Sequence, residues 1–164
     1  MERRRESAGA TGKRSVMRWV AAGCAVFLLA PVYAAHAFEL VTEAEAALPA
    51  GEAPALIMRG SPMRRPNILV VSPPPTAGLM HSPIDLKLRF HAFGGAEIDP
   101  ESVVVTYLKQ PAIDITQRIA PFITAQGVEI DKVEVPAGAH RFWIELKDKS
   151  GHVGAAEVSF QIAK

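Results

Sequence analysis

Cysteine is nearly absent: Cys24 is the only thiol in 164 residues, and it lies in an apolar run near the start. No intrachain disulfide can therefore staple the fold, and thiolate chemistry has no second partner. Charge of one sign is lacking as well. The first 37 residues hold 6 of the 18 Lys and Arg and 2 of the 17 Asp and Glu, so the remainder carries 12 basic against 15 acidic residues, a net of −3. Such a chain has no basic stripe to follow a phosphate backbone, which argues against nucleic acid as a partner. There is no G-x-S-x-G turn, no phosphate-cradling glycine loop before a helix, no i,i+4 histidine pair and no internal repeat. Nothing in the composition singles out a catalytic set.

The beginning is a different matter. Arg3-Arg4-Arg5, Lys13, Arg14 and Arg18 precede an apolar run from Trp19 to Ala35, and Ala35-His36-Ala37 suits signal peptidase. Residues 1–37 read as a secretory signal peptide to be set aside from the fold, with cleavage after Ala37. Cleavage after Ala35 and retention as a membrane anchor are the alternatives, and Pro31 near the end of a short run weighs against the anchor. Ala22-Gly23-Cys24 has the look of an acylation box, but only Trp19 to Gly23 separate Arg18 from the cysteine. That is too short for the apolar part of such a signal. The arginine cluster also lacks the context of a twin-arginine leader. The expected location is periplasmic or secreted, with membrane contact only through an uncleaved signal.

Residues 38–65 read as an irregular, proline-rich arm. Thr42-Glu43-Ala44-Glu45 is a capping box, but Pro49 limits any helix to about two turns. Pro49, Pro54 and Pro62 with Gly51 and Gly60 keep the rest irregular, around a short apolar patch, Leu56-Ile57-Met58. Strands begin at Pro66. Ile68–Val71, bounded by prolines, fits an edge strand. Ile84, Leu86, Leu88 and Phe90 alternate with Asp85, Lys87 and Arg89, the mark of a half-buried strand. Gly94-Gly95 and Asp99-Pro100 mark turns, and Ser102–Leu108 has a central-strand composition. Between Asp114 and Gly127, Ile115, Ile119 and Phe122 follow helical spacing, with Thr116 as the expected cap and Gly127 as the stop. Val128 and Ile130, then Val133 and Val135, alternate with a slip at Asp131-Lys132 that calls for a β-bulge.

The clearest signal is Ala139–Ala163, read as a β-hairpin. Phe142, Ile144 and Leu146 alternate with charged residues, Asp148-Lys149-Ser150-Gly151 interrupts, and Val158, Phe160 and Ile162 resume the pattern. Gly151 supplies a positive φ and the Asp148 carboxylate an acceptor for loop N–H groups. About seven short strands with one short helical turn predict an all-β antiparallel sandwich over residues 66–164.

Val135-Pro136-Ala137-Gly138-Ala139-His140, a strand, then Asp148-Lys149-Ser150-Gly151-His152 resembles the last hairpin of bacterial Ig-like and fibronectin-III-like domains. Ser72-Pro73-Pro74, Ser82-Pro83-Ile84 and Ile98–Val103 fit the earlier strands of that group. His152 stands where asparagine is usual, and the disulfide and core tryptophan of antibody domains are missing. The resemblance implies an Ig-like sandwich that binds, spaces or presents, and it implies no catalytic residue. A weaker similarity, to CopC-type periplasmic copper-binding domains, implies a His and Met ligand set. His36 at a mature N-terminus, Met58, Met63 and the Met80-His81 pair would supply it. Against it, His81, His91, His140 and His152 are scattered and expected to face solvent.

Asp85, Asp99, Asp114, Asp131 and Asp148 lie beside turns or on outward strand faces, where turn chemistry and solubility are their expected roles. Trp143, on the face opposite Phe142 and Ile144, is expected to be covered by a neighbouring loop, with a ligand platform as the alternative. The reading is a non-enzymatic exported module with no cofactor and no catalytic or metal site, its partner another envelope protein or, second, a glycan.

Overall fold

The computed structural model describes residues 38–54 and 65–164. The expected signal peptide and the Leu56-Ile57-Met58 patch lie outside them. Two sheets face each other. In the first, β8 (Gly127–Glu134) pairs with β4 (Ile84–His91), which pairs with β2 (Asn67–Ser72) at the edge. The other side of β8 takes two-residue strands, β1 (Phe38–Glu39) and β7 (Ile123–Thr124). In the second sheet the order is β3 (Leu79–Met80), β10 (Val153–Ile162), β9 (Gly138–Asp148), β5 (Ile98–Tyr107), β6 (Ile113–Asp114). This is an all-β sandwich whose long strands pair antiparallel. The short edge strands β1 and β3 instead run parallel to β8 and β10.

Alternation places the core. Ile84, Leu86, Leu88 and Phe90 of β4 meet Val103, Val105 and Tyr107 of β5, with Phe142, Ile144 and Leu146 of β9 and Val158, Phe160 and Ile162 of β10. The hairpin runs in continuous register from Gly138↔Ile162 to Lys147↔Val153. Its loop is built as the sequence requires. Gly151 has φ +83, and one Asp148 carboxylate oxygen accepts the N–H groups of Ser150 and His152, both at 2.9 Å. The slip in β8 is a bulge: Ile130 and Val133 oppose Leu86 and Ile84, so three steps face two. Lys132 takes φ +55 there and donates its N–H to Asp85.

Three local expectations about turns and caps change. Asp99-Pro100 does not end a strand, since it lies inside β5 as a break in register between Asp99 and Val104. There Ser102 Oγ donates to the Asp99 carbonyl at 2.6 Å and accepts Lys147 N–H at 2.8 Å. Thr116 does not cap the helical turn α2 (Thr116–Ile119): its hydroxyl accepts the Val105 N–H at 2.9 Å, and Asp114 accepts the Thr116 N–H. Gly127 is no helix stop either. It opens β8 at φ +149, where a Cβ would collide with the Leu88 carbonyl, so the residue is glycine for close strand approach.

The largest change concerns the arm. The Thr42–Glu45 box closes as read: Thr42 N–H donates to Glu45 Oε2 at 2.9 Å and Glu45 N–H to Thr42 Oγ1 at 3.2 Å, starting α1 (Glu43–Ala46). Yet residues 38–51 are not an irregular tether. Leu40 and Val41 are 2% and 0% exposed in the shared core, and Gly51 is buried where Ala50 bridges Lys109. Burying two aliphatic side chains contributes roughly 1.5–3 kcal/mol each, which fixes the segment. The sandwich therefore takes in residues that precede Pro66.

Candidate functional site

Strand β4 carries Arg89 and His91 outward because Leu88 and Phe90 point inward. Past its end the chain turns at Phe93–Ala96. Gly94 and Gly95 both have positive φ, +68 and +80, and Ala96 N–H donates to the Phe93 carbonyl at 3.3 Å. Two successive positive φ values are the type I′ pattern that glycine alone adopts without cost. Beside this turn, Phe90 N–H donates to the Gln126 carbonyl at 2.9 Å and fastens the β7–β8 turn to β4. Together the two turns enclose an open groove of about 560 Å³ floored by Phe90 and Ile98 and rimmed by Arg89, His91, Glu97 and Gln126. Phe93, on the adjoining turn, leaves 52% of its surface in water. Of the rim charges, Glu97 is paired with Lys149, which holds its carboxyl below the usual range. Arg89 stands 3.8 Å from Glu129, which Lys87 already engages at 2.9 Å. The Arg89 guanidinium keeps donors available to a ligand.

A second polar group is buried, and the sequence reading missed it. His140 is 1% exposed, where a solvent-facing histidine was expected. Its Nδ1 lies 2.9 Å from the Tyr107 hydroxyl and its Nε2 2.8 Å from the Pro136 carbonyl. Tyr107, Phe142, Phe160 and His140 form a closed ring-on-ring cluster with centroid spacings of 4.8–5.9 Å. Burial pushes the Tyr107 hydroxyl up to about 12. Lys109, 8% exposed, places its ammonium 5.2 Å from the Tyr107 ring centre and donates to the carbonyls of Ala46 (2.6 Å) and Leu48 (3.1 Å). The signal was available: His140 shares the even-numbered phase of Phe142, Ile144 and Leu146.

The remaining candidates are not brought together. His81, His91 and His152 are exposed, and His152 Nδ1 contacts Asp148 at 2.9 Å. Met80 packs against the core while His81 faces water. Among the described residues no three His, Cys, Asp or Glu side chains converge as a metal-holding group. His36, Met58 and Met63 lie outside those residues. The aspartates do turn chemistry: Asp85, Asp99 and Asp114 accept the N–H groups of Lys132, Glu101 and Thr116, and Asp131 pairs with Lys87. Trp143 is half-buried on the outward face between Thr106 and Glu157, and its indole N–H donates to Glu145 at 3.1 Å.

Neither a protein family nor a curated protein matches the chain in sequence. Among solved structures, CopC from Methylosinus trichosporium OB3b aligns at 17% identity and a TM-score of 0.39. The alignment covers 58% of this chain and 93% of that one. Among the described residues, no helix is long and apolar enough to cross a membrane.

Proposed function

We propose that this chain is a non-enzymatic, exported Ig-like module that binds another envelope protein, in the periplasm or after secretion. The observation that carries the reading is the groove between the Phe93–Ala96 and Ala125–Gln126 turns. It combines an apolar floor, a half-exposed aromatic at its edge and an arginine with spare donors. Binding sites of this kind join apolar contact area to a few placed polar groups. Several other titratable side chains are engaged in holding the fold. His140 has both ring nitrogens bonded, Asp148 organises a loop, and Arg118 and Arg141 hold the arm.

The test is a photo-crosslinking amino acid placed at Phe93 or His91 in the producing cell, with Ser159 on β10 as a distant exposed control. One discrete protein adduct from the groove positions, absent from Ser159, is expected. Equal labelling at all three positions would refute the groove, and retention on cell-wall glycan without a protein adduct would make the partner a saccharide. Copper handling is the alternative reading; of its ligand set, His36, Met58 and Met63 lie outside the described residues, and Met80 packs against the core while His81 faces water. Titration of the processed protein with Cu(I) and Cu(II) decides between them, since binding tighter than micromolar would favour copper.

A further inference from the structure

The arm reaches the second sheet just above His140. Gly51 N–H donates to the Leu108 carbonyl and Gln110 N–H to the Pro49 carbonyl, both at 3.0 Å, and Arg141 Nη1 donates to the Gly51 carbonyl at 3.2 Å. Lys109 completes the attachment through the carbonyls of Ala46 and Leu48 while its ammonium lies over the Tyr107 ring. Under this junction the imidazole fits one protonation state. A carbonyl only accepts, so the Nε2 facing Pro136 must carry the hydrogen, which leaves Nδ1 to accept the Tyr107 O–H. Adding a proton at Nδ1 sets two donors against each other, so the hydroxyl must turn its hydrogen away from the imidazole. It also places a second cation beside Lys109.

The charged and titratable groups around the ring are Tyr107 and Lys109 at the end of β5, with Glu45 of the arm acting on Tyr107. Toward His140, β10 presents the Phe160 ring and the β8–β9 turn the Pro136 carbonyl. None of these compensates an imidazolium. Burial accordingly holds His140 below its ordinary value, with the Pro136 bond opposing and Lys109 adding to the effect.

We propose that His140 is an acid-sensitive latch: its protonation expels Lys109 from the Tyr107 ring, frees Ala46–Gly51 and uncovers the backbone edge Leu108–Gln110. Phe38–Val41 stays docked, because Leu40 and Val41 are held by the core rather than by this junction. An uncovered strand end offers unpaired backbone groups to an extended segment of a partner.

Amide hydrogen exchange, corrected for the intrinsic pH dependence, tests this between pH 7.5 and 4.5. Protection at Gly51 and Gln110 is expected to fall about tenfold per pH unit once the junction begins to open. Protection at Leu40, whose N–H donates to Glu134, and in the β9–β10 hairpin is expected to hold. The double substitution Tyr107→Phe with His140→Phe keeps the ring cluster and removes the titration, so its arm protection should be independent of pH. A parallel loss of protection in arm and hairpin, or an unchanged pH response in the double variant, would overturn the latch. Should that variant not fold, the wild-type imidazole C–H shift decides: its midpoint must coincide with arm opening, and a mismatch refutes the proposal.

Discussion

Replacing Leu40 by alanine separates a docked arm from a tether. Leu40 is 2% exposed and borders an apolar void of about 20 Å³ whose other walls come from both sheets and from α2, among them Leu88, Val105, Ile119, Phe142 and Val158. Alanine removes three carbons from a site that already fails to close around its occupant. Truncations of buried leucine cost about 3–5 kcal/mol when surrounding side chains do not collapse, and less when they do. The existing void puts this position in the upper half of that range. With a urea slope of about 2 kcal/mol/M, ordinary for a domain of this size, the unfolding midpoint should drop by about 2 M. Leu40→Val, a milder truncation, should cost about 1 kcal/mol and keeps the test readable if the alanine variant is largely unfolded. Leu69→Ala on the outer face of β2, where the side chain is 50% exposed, should stay within about 0.5 kcal/mol. Equilibrium denaturation followed by tryptophan fluorescence measures all three. A Leu40→Ala shift no larger than that of Leu69→Ala would refute the burial argument and return residues 38–51 to the status of a linker.

Gly127→Ala should destabilise by at least about 2 kcal/mol in thermal or urea melts, because a Cβ meets the Leu88 carbonyl and φ +149 is closed to L side chains. A neutral result would mean that β4 and β8 can move apart there. For Asp148, burial pushes the carboxyl up, but the backbone and ring N–H bonds from His152 and the N–H of Ser150 outweigh it, so the group sits below its ordinary 3.8. A depressed carboxylate contributes stability that is present above about pH 4 and disappears as pH falls toward the folded value. Asp148→Asn should therefore cost about 1–3 kcal/mol at pH 7 and flatten the stability profile below pH 4. Melts across pH 2.5–7 would contradict this if the variant kept the wild-type acid slope.

Much of the sandwich is legible because period-two alternation survives in the long strands. β4, β9 and β10 bury the residues that their pattern nominates, and even the one-residue slip at Asp131-Lys132 appears as a bulge. The capping box is equally local and equally readable. What escapes is non-local. Phe38-Glu39 pairs with Val133-Glu134, and nothing in a two-residue parallel contact leaves a periodic trace. Leu40 and Val41 are adjacent buried residues at a bend, so they follow neither period. Thr116 has the residue type of a cap, yet the unpaired Val105 N–H on the edge of β5 claims its hydroxyl. His140 escapes because an imidazole is polar, although its phase in β9 places it inward. The groove is assembled from two turns about thirty residues apart, each readable as a turn but not as a neighbour of the other.

Three cations explain how so short an arm stays in place. Its regular pairing is slight: two residues of β1 and a bridge at Ala50. A one-turn helix also leaves carbonyls at its end without backbone donors. Arg118 takes the Leu40 carbonyl at 3.1 Å and both Glu45 oxygens, and holds that carboxyl down to about 2. Lys109 takes Ala46 and Leu48, and Arg141 takes Gly51 while gripping Glu157 through its other nitrogens. Each cation thus fills donor positions at a successive stage of the arm, and each is anchored to the sandwich through its own stem. The exposed ladder of Lys87 with Glu129 and Asp131 works differently, since water screens it and such surface pairs add little to stability. Of the three fasteners only Lys109 sits on the ring cluster containing His140. Acid strong enough to charge the imidazole but not Glu45 would therefore loosen the arm at its Ala46–Gly51 end while the Arg118 grip at the other end persists.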